Sequence, residues 1–250
     1  VTSQGRRKVF YPPDVAQVKD STYSTSENYD IVAIGSGDRE DPLDLLTSTP
    51  TADYPVHNRV YAYRDYDYKS GAPTVTPTTP VTEFDMYDAT ANNLGVLTGT
   101  ALQTEIDTNV KNSKGWYIDL VEPSSVTLLN GLSSTWAGEK SLAKTVIFDS
   151  VLYVTTFVPA NQATVASACA PNEGEARAYA LNYLSGEAVY DLDNDGSIER
   201  YATIGGGIPS EVVIVIRDGG VTGLVGTSGG AAGVTVSGSL PRYKTYWYDE

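Results

Sequence analysis

Residues 58–71 read NRVYAYRDYDYKSG, and residues 176–188 read ARAYALNYLSGEA. Both contain Arg-x-Tyr-Ala, as Arg59, Tyr61, Ala62 and as Arg177, Tyr179, Ala180. Each run closes on Ser-Gly, at Ser70-Gly71 and Ser185-Gly186, and an apolar run precedes each, IVAIGSG from Ile31 and LYVTTF from Leu152. An apolar strand, a loop, a Tyr-Ala strand and a glycine turn is the order expected of successive β-propeller blades, which bury their faces on their neighbours and push insertions to the rims. A two-sheet sandwich with coincidental similarity is the competing reading. Residues 208–250 supply a third strand set without the Tyr-Ala signature. About three blades do not close a ring, so the expectation is the C-terminal portion of one larger propeller or an open fold. The approximate blades are 1–110, 111–204 and 205–250.

Outward from the repeat, short strand-like runs fill the chain. KVFYPPDVA, YDIVAIGSG, NRVYAYRD and TEFDMYD come first, then GWYIDLV, KTVIFDS, VLYVTTFV, ARAYALNY and EAVYDLD. ERYATI, EVVIVIRD, TGLVGT, GVTVSG and KTYWYDE follow. Most are rich in Val, Ile, Thr and Tyr and are bounded by Gly, Pro, Asp or Asn. Eighteen tyrosines against four phenylalanines favour half-wet pleated surfaces. The spacing predicts one helix, in NNLGVLTGTALQTEIDTNVKN (92–112), where Leu102, Ile106 and Val110 recur every four residues. Gly95 and Gly99 weaken its first half. SGAPTVTPTTP (70–80) reads as a loop, because its prolines do not fit a central strand.

The 250 residues suffice for a buried core, and 41% hydrophobic with 19% charged residues describes an ordinary globular chain. A net charge of −14 repels phosphate backbones and argues against a nucleic-acid partner. No apolar run is long enough to span a bilayer, and no signal peptide is legible. A chain opening on Val1 reads as a processed or trimmed piece of something larger. The lone Cys169 is either a small core or loop residue or the partner of a cysteine outside this chain.

DLDNDGSIE (191–199) gathers four acids in nine residues. Asp191, Asp193 and Asp195 alternate, Gly196 permits a sharp turn, the Ser197 carbonyl faces inward and Glu199 closes the loop. This follows the first nine positions of an EF-hand, but the twelfth is Ala202 and the flanks EAVY and RYAT read as strands. A Ca²⁺ loop between two strands is expected, with affinity on the order of 10⁻⁴ M. The alternative is a solvated Asp/Asn/Gly turn.

Other motifs argue against enzymology. GSGDRED (35–41) mixes signs and lacks the lysine and helix of a phosphate loop, so Asp38 and Arg39 are expected to form a structural ion pair. GGGIPS (205–210) is a turn into a strand, and the glycine-rich 222–238 reads as turns between short strands. The only histidine, His57, gives little support for a Ser-His-Asp triad, and one His with one Cys offers no zinc or iron site.

KVFYPPDVA, YDIVAIGSGDREDPL, HNRVYAYRD, KGWYIDL, GEKSLAKTVIFDSVLYVTTFVP, ARAYALNYLSG, IGGGIPSEVVIV and YKTYWYDE, in that order, resemble the C-terminal propeller domain of PilY-type proteins, the type IV pilus biogenesis factors and tip adhesins. Residues 72–110 and 220–240 carry no such resemblance. The resemblance implies a non-enzymatic module, exported to the cell surface at the pilus tip or outer membrane, with the variable N-terminal region absent from this chain. It implies minor pilins, that N-terminal region and a host or surface ligand as partners, and a Ca²⁺ loop of alternating acids. In the family the regulatory loop usually lies in an earlier blade, before an Ala-Gly-Asp-x-x-Gly strand not found here, so 191–199 reads as an additional site. Two other classes compete. YALNYLSGEAV also resembles the blade repeat of quinoprotein dehydrogenases, although no repeated Gly-Trp signature surrounds it. A generic extracellular filament or surface-layer domain is the third reading.

Overall fold

A computed structural model of the chain describes residues 7–25, 28–42, 56–66, 80–122, 124–127, 133–134, 136–160, 173–193, 195–217 and 220–236. Cys169, Ser70-Gly71, most of the Pro/Thr-rich stretch and the closing KTYWYDE lie outside the described residues. Strands dominate. They are β1 (Asp14–Lys19), β2 (Asn28–Gly35), β3 (Arg59–Asp65), β4 (Tyr87–Asp88), β5 (Gly115–Asp119), β6 (Val126–Thr127), β7 (Ser133–Ser134) and β8 (Lys140–Ser141). β9 (Val146–Phe148), β10 (Val151–Val158), β11 (Glu175–Asn182), β12 (Tyr201–Gly206), β13 (Val213–Arg217), β14 (Gly220–Thr227) and β15 (Gly230–Val234) complete them.

Three main sheets and a two-stranded ribbon, β6-β7, result. The first sheet has the order β1-β2-β3-β5-β4, the second β12-β11-β10-β8 with β9 also on β10, and the third β13-β14-β15. None closes into a barrel. Neighbouring strands are antiparallel except β4 on β5. β5, from the segment expected to open the second strand set, instead lies inside the first sheet. The repeat holds in three dimensions. β3 and β11 each lie between the strand before them and a later one, and Tyr61 sits opposite Tyr117 as Tyr179 sits opposite Tyr201.

Alternation explains the layering, because successive side chains leave opposite faces of a strand. Ile31, Ala33, Val60, Ala62, Trp116 and Ile118 of the first sheet meet Leu152, Val154, Tyr179 and Leu181 of the second. The other face of the second sheet, Val151, Tyr153, Ala178 and Ala180, packs against Val225 and Val234 of the third and against Val212 just before it. The middle sheet is therefore covered on both sides, and all eight residues of β10 are buried. That is why VLYVTTFV reads as a near-continuous apolar run, whereas NYDIVAIG alternates. The β9–β10 hairpin turns on two residues, Asp149 (φ 47°) and Ser150 (φ 68°), the positive pair that matches strand twist.

The expected helix is present but interrupted. α1 (Asn93–Val96) and α2 (Gly99–Glu105) run into a π turn at Ile106–Val110. Leu94, Ile106 and Val110 are buried and Leu102 packs beside them. A step of four residues overshoots one α-helical turn by ~40°. The wider π turn, closed by Lys111 N donating to the Ile106 carbonyl at 2.9 Å, keeps Ile106 and Val110 on one face. Other segments differ from expectation. In KVFYPPDVA only the final three residues enter β1, after the two prolines, which have no N–H for a ladder. TEFDMYD gives a 3₁₀ turn and the two-residue β4, and EAVYDLD gives isolated bridges at Ala188 and Tyr190. No described helix is long and apolar enough to cross a membrane.

Candidate metal centre

The acidic loop connects the end of the β11 hairpin to β12. Its base is a bridge between Tyr190 and Glu199, with Glu199 N donating to the Tyr190 carbonyl at 3.1 Å. Only the RYAT flank leads into a regular strand, β12 from Tyr201; the EAVY flank supplies isolated bridges at Ala188 and Tyr190. Inside the loop the backbone holds the carboxylates. Asp195 N donates to Asp191 Oδ1 (3.2 Å) and Asp193 Oδ1 (3.1 Å), Gly196 N to Asp191 Oδ2 (2.9 Å), Ser197 N to Asp195 Oδ1 (2.8 Å) and Leu192 N to Glu199 Oε2 (3.0 Å). Gly196, at φ 96°, makes the turn that brings these amides inward.

One carboxylate oxygen from each of Asp191, Asp193, Asp195 and Glu199 lies within 4.8 Å of the others. Two Ca²⁺–O bonds in line span roughly 4.6–5.2 Å, so the four oxygens fit around one such ion. Glu199 Oε1 is buried and makes no hydrogen bond, and a cation would satisfy it. The donor set is all oxygen, which suits a hard cation and not a soft one. The structure thus brings together the four acids read from the sequence. Ser197 contributes its amide to Asp195, and its carbonyl was the part expected to face the ion.

The other sequence candidates are placed differently. Asp38 and Arg39 do not pair with each other: Asp38 takes Lys8 at 2.7 Å, and Arg39 donates to the Tyr11 hydroxyl and to the Leu142 carbonyl at 3.1 Å. GSG is the crossing where β8 meets the first sheet, with Ser141 N donating to the Ser36 carbonyl at 3.0 Å. His57 stacks on Trp136 with centroids 5.8 Å apart, and burial lowers its pKa. Among the described residues no serine or threonine hydroxyl is bonded to its ring.

Sequence reasoning missed the buried charge cluster of the middle sheet. Arg177 contacts Glu139 at 2.9 Å, Glu122 at 2.8 Å and Glu175 at 2.7 Å, and its guanidinium lies 4.5 Å from the Tyr201 ring centroid. Glu139, which is 1% exposed, also accepts from Thr156 and Tyr179. Burial raises the Glu139 carboxyl, against the pull of Arg177. Two more arginines, the buried Arg64 and the half-buried Arg200, serve as clamps on carbonyls. Arg64 donates to Val110, Ser113 and Leu184, and Arg200, beside the acidic loop, donates to Ala89 and Thr90. The repeated Arg-x-Tyr-Ala was the one signal that could have pointed to Arg177.

No family model and no curated protein matches the chain. Among solved structures it is similar to the crystal structure of the Pseudomonas aeruginosa PilY1 C-terminal domain, with a TM-score of 0.52 and 14% identity over 92% of this chain. The chain spans 45% of that domain's length. The resemblance read from the sequence thus reappears in three dimensions, and the β-rich fold of this chain is similar to that of the PilY1 C-terminal domain.

Proposed function

We propose that the chain is a non-enzymatic module of a type IV pilus biogenesis or tip protein, acting at the cell surface and stabilised by calcium at Asp191, Asp193, Asp195, Ser197 and Glu199. The observation that carries this reading is the likeness to the PilY1 C-terminal domain along nearly the whole chain. The three sheets are successive blades of one larger propeller. The repeat supports this: the Val60/Ala62 face of the first sheet meets the second, and the Ala178/Ala180 face of the second meets the third. Each sheet thus turns its alanine face to the next. By the same logic the Arg59/Tyr61 face receives a preceding sheet from the rest of the protein, and minor pilins are the external partners. Cross-linking mass spectrometry on intact pili tests the assignment. Links from residues 7–25 to an upstream segment or a minor pilin are expected, and recovery only as an unlinked cytoplasmic monomer overturns it.

Calcium is favoured over magnesium because Mg²⁺ demands shorter bonds in near-ideal octahedral geometry and gives up its water reluctantly. Ion binding relieves the repulsion among four clustered acids and ties the two ends of the loop at Asp191 and Glu199. Calcium at 100 times its dissociation constant stabilises by about 2.7 kcal/mol. For a domain of this size that raises the melting temperature by roughly 5–10 °C. Asp193→Ala with Asp195→Ala removes the rise. An equal rise in the double variant, or with magnesium, disproves the site.

A further inference from the structure

The GSGDRED segment leaves one feature unused by the pilus and metal readings, the side chain of Arg39. It lines an open cleft of about 740 Å³ where the ends of all three sheets meet. Residues after β2, residues after β8, the β12–β13 connection and the β14–β15 turn form its walls. That volume lies within the range of small-ligand sites, which favour such junctions between structural units.

The cleft holds an anchored cation. The Arg39 guanidinium lies 5.4 Å from the Tyr11 ring centroid, and its Nη1 donates to the Tyr11 hydroxyl and the Leu142 carbonyl. These contacts fix the group without neutralising it, since neither is a carboxylate. A guanidinium has five N–H donors, so others remain for a ligand. The neighbouring acids Asp38 and Glu40 are both taken by Lys8, at 2.7 and 3.3 Å. Lys144, also in the lining, has only a loose contact with Asp14 at 3.5 Å. Glu211 is the lining's one carboxylate, so the wall carries about one net positive charge in a chain of −14. That balance selects a monoanion over a phosphate dianion.

The same lining supplies hydroxyls whose protons are given to backbone carbonyls. Ser210 Oγ donates to the Glu211 carbonyl at 2.8 Å while accepting Gly226 N, and Thr227 Oγ1 donates to the Gly230 carbonyl at 3.0 Å. Each hydroxyl oxygen has two lone pairs, so both side chains can still accept. Acceptors and cations lining one open cleft are complementary to a ligand with several O–H donors and one carboxylate.

We propose that this cleft binds a sugar acid, with its carboxylate on Arg39 and Lys144 and its hydroxyls on Ser210 and Thr227. The planar guanidinium takes the carboxylate through paired N–H bonds, and the ammonium adds a point charge. The site does not depend on the acidic loop. Titration of the full chain with D-glucuronate, followed by amide NMR, tests it against D-glucose and inorganic phosphate. Saturable millimolar binding is expected, with shifts at Arg39, Ser210 and Thr227. Arg39→Gln and Lys144→Gln each weaken it at least fivefold without changing the melting temperature. No saturation through tens of millimolar overturns the proposal. So does glucose or phosphate binding as tightly as glucuronate, or unchanged affinity in both variants.

Discussion

Arg59 and Arg177 hold the same place in two sheets, yet one sits in a half-wet pair and the other in a dry cluster. Arg59 bonds Glu83, whose side chain is 41% exposed, and Asp119, 21% exposed. Arg177 bonds Glu139 and Glu122, 1% and 8% exposed, besides the more accessible Glu175. Each guanidinium lies against the ring of a tyrosine on a neighbouring strand, Tyr117 at 4.2 Å and Tyr201 at 4.5 Å. The motif therefore fixes the arginine and its aromatic platform. Both guanidiniums are themselves buried, 6% and 4% exposed, so the difference lies in the acids: Glu139 and Glu122 are shut away from water, whereas Glu83 and Asp119 reach it.

The largest expected consequence is unequal loss on deletion. Arg177→Ala strands two buried carboxylates and costs about 3–5 kcal/mol, as breaking a buried pair does. Arg59→Ala leaves its acids partly hydrated and costs roughly 1–2 kcal/mol beyond lost packing. Urea unfolding of both variants measures this, and an Arg59 loss equal to or above that of Arg177 breaks the comparison.

A second contrast lies within the dry cluster and concerns pH. Burial raises Glu139, so the folded state holds its proton at a pH where the unfolded chain has released it. Its contribution is fully present below the ordinary carboxylate range and falls as pH rises from about 4.5 through the raised value. Burial also pushes Glu175 up, but Arg177 and Thr203 outweigh it and hold that carboxyl low. Its contribution is present above the ordinary range and is lost as pH falls through the lowered value. Glu139→Gln should flatten the decline in urea midpoint on the neutral side, and Glu175→Gln the decline on the acid side. The same slope in Glu139→Gln as in the parent chain contradicts the assignment.

The smallest effect sharpens the comparison. Tyr117→Leu and Tyr201→Leu should each cost about 0.5–2 kcal/mol beyond lost packing, because the ring centroids lie 4.2 and 4.5 Å from a guanidinium, and Tyr117 is the more buried of the two rings. A clearly larger loss at Tyr201 in thermal unfolding would show that the buried acids around Arg177, not the burial of the ring itself, set the strength of the contact.

How much was legible in the sequence follows the range of the interactions. IVAIGSG, NRVYAYRD, VLYVTTFV and ARAYALNY announced their strands because alternation and β-branching act within a few residues. Leu102, Ile106 and Val110 announced a buried face, but not the π turn that reconciles their spacing with the helix. The four acids of 191–199 were legible because a loop's ligands are local, and the buried Glu199 Oε1 was not, since its burial depends on packing. Asp38 and Arg39 misled for the same reason: adjacency suggested a pair, whereas the partners Lys8, Tyr11 and Leu142 arrive from other segments. Glu139 carries no signal of its own. Its role exists only once Thr156, Arg177 and Tyr179 surround it.

The doubly covered middle sheet has a consequence for the order in which the chain is made. Val151, Tyr153, Ala178 and Ala180 need Val212, Val225 and Val234 to shield them, and those three are synthesised after them. Translation adds ~5–20 residues per second, so the ~54 residues from Ala180 to Val234 take on the order of 3–10 s. For that interval a newborn chain carries an apolar sheet with one side bare. Shielding of that side must wait for the β14–β15 hairpin.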